Sequence, residues 1–148
     1  MRIGLGCDHR GYELKEFIKK YLIEMNYEIV DFGTYTNDSV DYPDYAIPIG
    51  EKVAKGELDR GILICYSGIG MSIVANKVKG VYAALVHDKE EALLSRKHNN
   101  SNILVLSGKI DKDLAKEIVK IWLETEFEGG RHLRRLNKIK TYEERNYG

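Results

Sequence analysis

Short apolar runs alternate along this chain with longer stretches whose apolar positions return every three or four residues. Arg2–Cys7 reads as a first strand, after which Leu14, Phe17, Ile18, Tyr21, Leu22 and Met25 recur at helical spacing. Tyr27–Phe32 predicts a second strand, closed by Gly33. A polar loop from Thr34 to Asp41 leads through Tyr42-Pro43 into a helix reaching about Lys55. Pro43 suits the first turn of that helix, whereas Pro48 must sit early in it or bend it. Leu58–Cys65 predicts a third strand, Met71–Val78 a short helix and Val81–Val86 a fourth strand. A helix from Lys89 to about His98 precedes the fifth strand, Asn102–Ser107. Two helices follow, Asp111–Glu126 and about Arg131–Glu144, divided by Glu128-Gly129-Gly130.

Strands separated by helical segments imply right-handed crossovers and a mainly parallel sheet covered on both faces. The nearly continuous apolar character of the strands agrees with burial on both sides. The expectation is an α/β protein with a five-stranded sheet, residues 1–148 forming one domain. The last helix differs from the others. Leu133, Leu136, Ile139 and Tyr142 make a thin stripe among Arg131, Arg134, Arg135, Lys138 and Lys140. We expect residues 131–148 to pack on a partner subunit; the other reading is a helix folded back on its own domain.

Composition narrows the function. At 148 residues the chain can bury a substantial core. Lys plus Arg and Asp plus Glu both number 23, so no net field steers it toward nucleic acid or membrane. Its apolar runs are far too short to span a bilayer. Met1-Arg2-Ile3-Gly4-Leu5-Gly6 lacks the marks of a secretory leader. Two cysteines make neither a disulfide framework nor a zinc spacing. A soluble, reduced, cytoplasmic protein is expected.

The chemistry concentrates where strands end. Cys65-Tyr66-Ser67-Gly68-Ile69-Gly70-Met71-Ser72 runs from a buried strand through a glycine turn into a helix. A thiol and two hydroxyls thus lie beside the first free N–H groups of that helix. Those amides and the helix dipole favour negative charge on a bound anion, a developing oxyanion or a thiolate. Asp8-His9-Arg10-Gly11 ends the first strand. Asp8 suits a helix cap or a sugar hydroxyl, and His9 an anion. Tyr42 reads either as a core-packed tyrosine at a capped helix start or as a sugar contact. His98, at a helix C-terminus, suits a dipole partner or a general acid–base group. Arg131, Arg134 and Arg135 share one helical face, and arginine is well shaped for phosphate. Cys7 reads as a small buried filler.

Gly6-Cys7-Asp8-His9, Asp41-Tyr42-Pro43, Gly61-Ile62-Leu63-Ile64-Cys65, Ser67-Gly68-Ile69-Gly70-Met71-Ser72, Ala75-Asn76-Lys77, Ser95-Arg96-Lys97-His98-Asn99 and Phe127-Glu128-Gly129-Gly130-Arg131-His132 together resemble the ribose-5-phosphate isomerase B family, which includes the galactose-6-phosphate isomerase subunits. The likeness covers nearly the whole chain. It implies a three-layer, Rossmann-like fold and interconversion of aldose and ketose phosphates through a cis-enediolate, without metal or other cofactor. By this resemblance Cys65 is the base that moves a proton between C2 and C1, and Ser67 assists beside it. Backbone amides from Gly68 through Gly70 to Ser72 hold the enediolate. His98 opens the furanose ring, and Asn99, Asp8 and Tyr42 hold hydroxyls. His9, Arg131 and Arg135 grip phosphate, the arginines coming from a neighbouring subunit of a homodimer or a dimer of dimers.

Two positions depart from the family's pattern. Tyr66 stands where glycine is common, and Ser67 lacks the methyl of the usual threonine, which fixes its rotamer less firmly. One branch of the family uses a glutamate after the turn as base; here no Asp or Glu lies between Cys65 and Lys77, which points to the thiol. Ribose 5-phosphate, a substrate of the non-oxidative pentose phosphate pathway, is the first expectation. A hexose 6-phosphate (allose or galactose) and a phosphosugar-binding module without turnover are the alternatives.

Overall fold

The computed structural model describes residues 1–147; Gly148, the end of the C-terminal segment, lies outside the described residues. In chain order the elements are β1 (Arg2–Cys7), α1 (Tyr12–Glu24), β2 (Glu28–Asp31), α2 (Pro43–Ala54), β3 (Arg60–Cys65), α3 (Ile69–Asn76), β4 (Ala83–Leu85), α4 (Lys89–Lys97), β5 (Ile103–Ser107), α5 (Lys112–Glu124) and α6 (Arg131–Tyr147). The strands form one sheet in the order β2-β1-β3-β5-β4, and every pairing is parallel. Helices cover both faces, as the alternation of strands and helices predicts, giving an α/β, Rossmann-like architecture.

Strand parity sorts the core into two halves. Ile3, Leu5 and Cys7 of β1, with Ile62, Ile64, Leu104 and Leu106, pack against α1, α4 and α5 around the fully buried Trp122. Leu63 and Cys65 of β3, with Ile103 and Val105 of β5, face α2 and α3, meeting Ile49, Val53, Met71 and Ala75. Each such aliphatic side chain stabilises the fold by about 1.5–3 kcal/mol. On this second face Gly6 and Gly61 leave room for Ile49: a Cβ on either would lie 2.7 Å from that side chain. The close approach of α2 to the sheet depends on them.

Where elements differ from expectation, the causes are local. β2 and β4 are shorter than Tyr27–Phe32 and Val81–Val86 because each is an edge strand, paired on one side only. At β4 the Asn76 amide takes over part of the pairing, accepting from the Ala83 N–H at 2.9 Å and donating to its carbonyl at 3.0 Å. α3 begins at Ile69 rather than Met71, because Gly68 adopts φ 79° and completes the turn in one residue. Pro48 lies inside α2, where it removes one helical hydrogen bond without ending the helix.

A buried charge pair joins α1 to the sheet. Lys15, with no exposed surface, reaches Asp31 Oδ1 at 2.7 Å and the Thr34 carbonyl at 2.8 Å. Lys19 adds a contact to Asp31 Oδ2 at 2.9 Å. Burial pushes the Asp31 carboxyl up, but hydrogen bonds from Lys15, the Gly33 N–H and Lys19 outweigh it and hold the group below its ordinary range.

α6 uses only one side against its own chain. His132 and Leu136 are buried, and Glu143 accepts the Gly80 N–H at 3.0 Å. Leu133 and Ile139 stay about half exposed, as do Ile69 and Ile73 on α3.

Candidate active site

Because β2 lies on one side of β1 and β3 on the other, the chain reverses direction across the sheet between β1 and β3. Ligands of open α/β sheets bind at such a point, beyond the carboxyl ends of the strands. Asp8 and His9 leave β1 here, and Cys65 ends β3. Backbone bonds stitch the ends of the three central strands together. The Asp8 N–H donates to the Ile64 carbonyl at 3.1 Å, and the Gly108 N–H to the Cys65 carbonyl at 2.7 Å. Ser107 Oγ donates to the Tyr66 carbonyl at 2.7 Å.

Cys65 is buried, at 4% exposure, with its side chain on the α2–α3 face. Directly after it, Ser67 Oγ accepts the Ile69 N–H at 3.2 Å. No side chain of the N-cap residue Gly68 can close the start of α3, and the amides of Gly70 and Met71 have no carbonyl one turn back to receive them. The Ser72 N–H, in contrast, donates to the Gly68 carbonyl at 3.0 Å, so the run of free amides expected to reach Ser72 ends at Met71. A buried thiol thus lies four residues before the first turn of a helix whose Gly70 and Met71 amides are free, an arrangement that favours negative charge nearby.

Tyr42 closes over this turn. A Cβ on Gly70 would lie 2.6–2.9 Å from three carbons of the Tyr42 ring, so only glycine permits the contact. Tyr42 comes from the N-cap of α2 and is 37% exposed, and Cζ, the carbon that bears its hydroxyl, is the ring atom nearest Gly70. Asp8 is buried, and its Oδ1 accepts the Arg10 and Gly11 N–H groups at 2.9 and 3.1 Å. Asp8 therefore closes the turn that leads into α1 rather than capping the helix itself, whose N-cap is Gly11, and its Oδ2 takes no bond from these amides. His9 Nδ1 accepts the Val40 N–H at 3.2 Å, which leaves Nε2 as the nitrogen that carries the proton in the neutral ring.

A cleft of about 260 Å³ opens beside this edge, lined among others by His9, Arg10, Lys112 and Gly108. Tyr66 stands at the rim, 47% exposed, its ring held between Arg10 at 4.2 Å and Lys109 at 4.9 Å. Arg10 and Lys109 were not singled out by sequence. A signal was present, since each directly follows a strand end where the other site groups gather.

His98 and Asn99 lie at the C-terminus of α4, His98 as its C-cap. His98 stacks on His132 of α6, ring centroids 4.2 Å apart and planes within 15°. Loss of solvent, with His98 and Arg131 close by, pushes the His132 imidazole below its ordinary value, against the pull of Glu128. The segment carrying His98 is fixed from behind. Trp122 Nε1 donates to Ser101 Oγ at 2.8 Å, which bonds Ser95 Oγ at 3.0 Å. Arg96 donates to the Thr125 and Ser101 carbonyls. Sequence reading misses this network, because a tryptophan 21 residues from the serine it bonds, on a different element, carries no local signature. Arg131 and Arg135 are exposed on α6, and among the described residues no hydrogen bond or ion pair ties them to the Cys65 turn.

Cys7 provides the contrast. Fully buried, with Sγ 3.9 Å from the Thr34 carbonyl, its thiol is pushed up to about 12 by loss of solvent. It is a neutral core side chain, as expected.

The chain matches the Ribose/Galactose Isomerase family over residues 3–139, which takes in every strand and both sides of the Cys65 turn. It belongs to that family. Ribose-5-phosphate isomerase B of Escherichia coli is 43% identical over 97% of each chain. The solved ribose-5-phosphate isomerase B of Clostridium thermocellum superposes with a TM-score of 0.96, at 49% identity and full coverage of both chains. The Mycoplasma genitalium ribose-5-phosphate isomerase B, solved with ribulose 5-phosphate bound, gives 0.93 at 43% identity, covering 97% of this chain and 96% of its own.

Proposed function

We propose that this protein interconverts D-ribose 5-phosphate and D-ribulose 5-phosphate. The observation that carries the reading is the Cys65 thiol, buried at a strand end just before the free Gly70 and Met71 amides of α3, in a family whose solved member holds the ketose product. His98 protonates and opens the furanose ring. Cys65, as thiolate, takes the proton from C2 of the open aldose; electrons move into the carbonyl and give a cis-enediolate. The amides of Gly68, Gly70 and Met71 stabilise the new charge on oxygen. One such donor is typically worth about 3 kcal/mol, roughly a hundredfold in rate. Cys65, whose proton exchanges with solvent while the enediolate lasts, delivers a proton to C1; the proton of the C2 hydroxyl passes to O1 with Ser67 beside the oxygens, and the ketose results.

Asp8, Tyr42 and Asn99 hold the sugar hydroxyls. His9, which lines the basic cleft, meets the phosphate from its own subunit. Arg131 and Arg135, exposed and away from the Cys65 turn, complete the phosphate grip from a partner subunit. The half-exposed Ile69 and Ile73 of α3 and Leu133 and Ile139 of α6 support a homodimer as the working unit. The phosphate is remote from C1 and C2, so its binding energy orients the open chain.

Incubating the protein with ribose 5-phosphate in deuterated water tests the reading. Deuterium appears at the exchanging carbon of recovered sugar, and a folded Cys65→Ala variant fails to introduce it. Tight binding with no exchange in the parent protein would make this a phosphosugar-binding module instead, and a strong preference for a hexose 6-phosphate would reassign the substrate.

A further inference from the structure

His98, which opens the ring in the proposed reaction, lies in a cluster with Glu128 and His132, two groups that reaction does not use. Their donor atoms all lie within 4.8 Å of one another. His98 Nε2 and Glu128 Oε2 are 4.0 Å apart, too long for a hydrogen bond, and the two imidazoles are stacked face to face. We propose that these three side chains form a zinc-binding site, and that the ion inhibits the enzyme by taking His98 from its role in ring opening.

Two imidazoles and a carboxylate, with a fourth position open to solvent, is a zinc donor set; imidazole selects zinc, copper and nickel over magnesium or calcium. Donors at about 2.0–2.2 Å from one ion stand roughly 3.3 Å apart in tetrahedral geometry. The present spacing therefore closes by at most about 1.5 Å, which rotation of the exposed Glu128 and of the part-exposed His98 ring, turning out of its stack on His132, supplies. The backbone already places the ligands together. The Glu128 N–H donates to the Lys97 carbonyl at 3.1 Å, tying the segment before α6 to the end of α4, next to His98. The His132 N–H donates to the Gly129 carbonyl at 3.1 Å. His132 is buried, so its ring is held, while Glu128 gives the ion a route in from solvent. Nothing in the proton transfer at C1 and C2 calls on Glu128 or His132.

Calorimetric titration of the chelator-treated full chain with zinc chloride, in a non-coordinating buffer, tests the site directly. One ion is expected per chain. Glu128→Gln and His132→Asn should each weaken binding by about tenfold or more, and Cys65→Ser should leave it unchanged. Glu128 is exposed, so its variant carries the test if the His132 variant does not fold. Absence of saturable binding, indifference to both substitutions, or loss of binding in Cys65→Ser would overturn the site. The inhibitory half rests on the isomerase reading: zinc should suppress turnover of ribose 5-phosphate in the parent protein and do so about tenfold less potently in Glu128→Gln. Zinc that binds without suppressing turnover refutes the inhibition. Absence of turnover in metal-free protein refutes the isomerase reading instead, with the binding result untouched.

Discussion

Replacing Gly70 by alanine separates catalytic geometry from stability in a way the structure makes quantitative. The new methyl would meet three Tyr42 ring carbons at 2.6, 2.8 and 2.9 Å, where ordinary contact begins near 3.4 Å. The ring must therefore retreat by about 1 Å, and at 37% exposure it can do so into solvent. Gly70 has no left-handed backbone angle, and alanine gains up to about 1 kcal/mol over glycine in a helix. The melting temperature should hold or rise. Activity should not. Losing one neutral hydrogen bond from the Tyr42 hydroxyl to the sugar costs about 0.5–1.5 kcal/mol, or about two- to twelvefold in kcat/KM. The amide of residue 70 is kept, so the loss reports the ring and not the oxyanion contact. Measuring kcat/KM and thermal unfolding for Gly70→Ala, Tyr42→Phe and the double variant closes the cycle. The double variant should lose no more than the worse single one. Additive losses, or unchanged kcat/KM in Gly70→Ala, would refute the idea that Gly70 exists to seat Tyr42.

Other outcomes follow from the same contacts. Asp31→Asn strands Lys15, which has no exposed surface, without its main counter-charge. It should cost about 3–5 kcal/mol in urea unfolding, and a loss under about 1 kcal/mol would show that Glu16, 3.5 Å from Lys15 Nζ, and solvent suffice. Because the folded Asp31 carboxyl lies below its ordinary value, its contribution is full above the unfolded value near 4 and disappears as pH falls through the folded one. The stability gap between parent and Asp31→Asn should accordingly narrow on acidification; a gap that widens contradicts the direction of the shift. Trp122→Phe removes the donor to Ser101 Oγ and should destabilise by about 1–3 kcal/mol, with kcat falling as the His98 segment loosens. Parental kcat in a destabilised variant would show that the network serves only the core.

The fold was legible because both periods are strong. Five apolar runs and the helical spacing after each fix the order of elements, and Pro43 and Gly68 mark two helix starts. What the pattern could not supply was pairing partners, hence the short edge strands and the Asn76 amide that substitutes for part of β4. In the site, groups that follow strand ends were readable one by one, since every strand of a parallel sheet delivers its carboxyl end to the same edge. Tyr42 was ambiguous from sequence. Its function shows only in contact with Gly70, a residue 28 positions away. The Trp122–Ser101–Ser95 chain and the His98–His132 stack were hidden for the same reason: they join side chains from different elements, and neither hydropathy nor motif spacing encodes such meetings.

Cys7 and Cys65 close two adjoining strands, yet parity sends one toward Trp122 and the other toward Met71. Identical atoms thereby acquire opposite surroundings, one a silent plug and one, in the proposed reaction, the working base. Evolution can exchange the plug for valine or alanine at small cost, whereas sliding β3 by a single step would bury its sulfur in the wrong half and leave the enzyme mute.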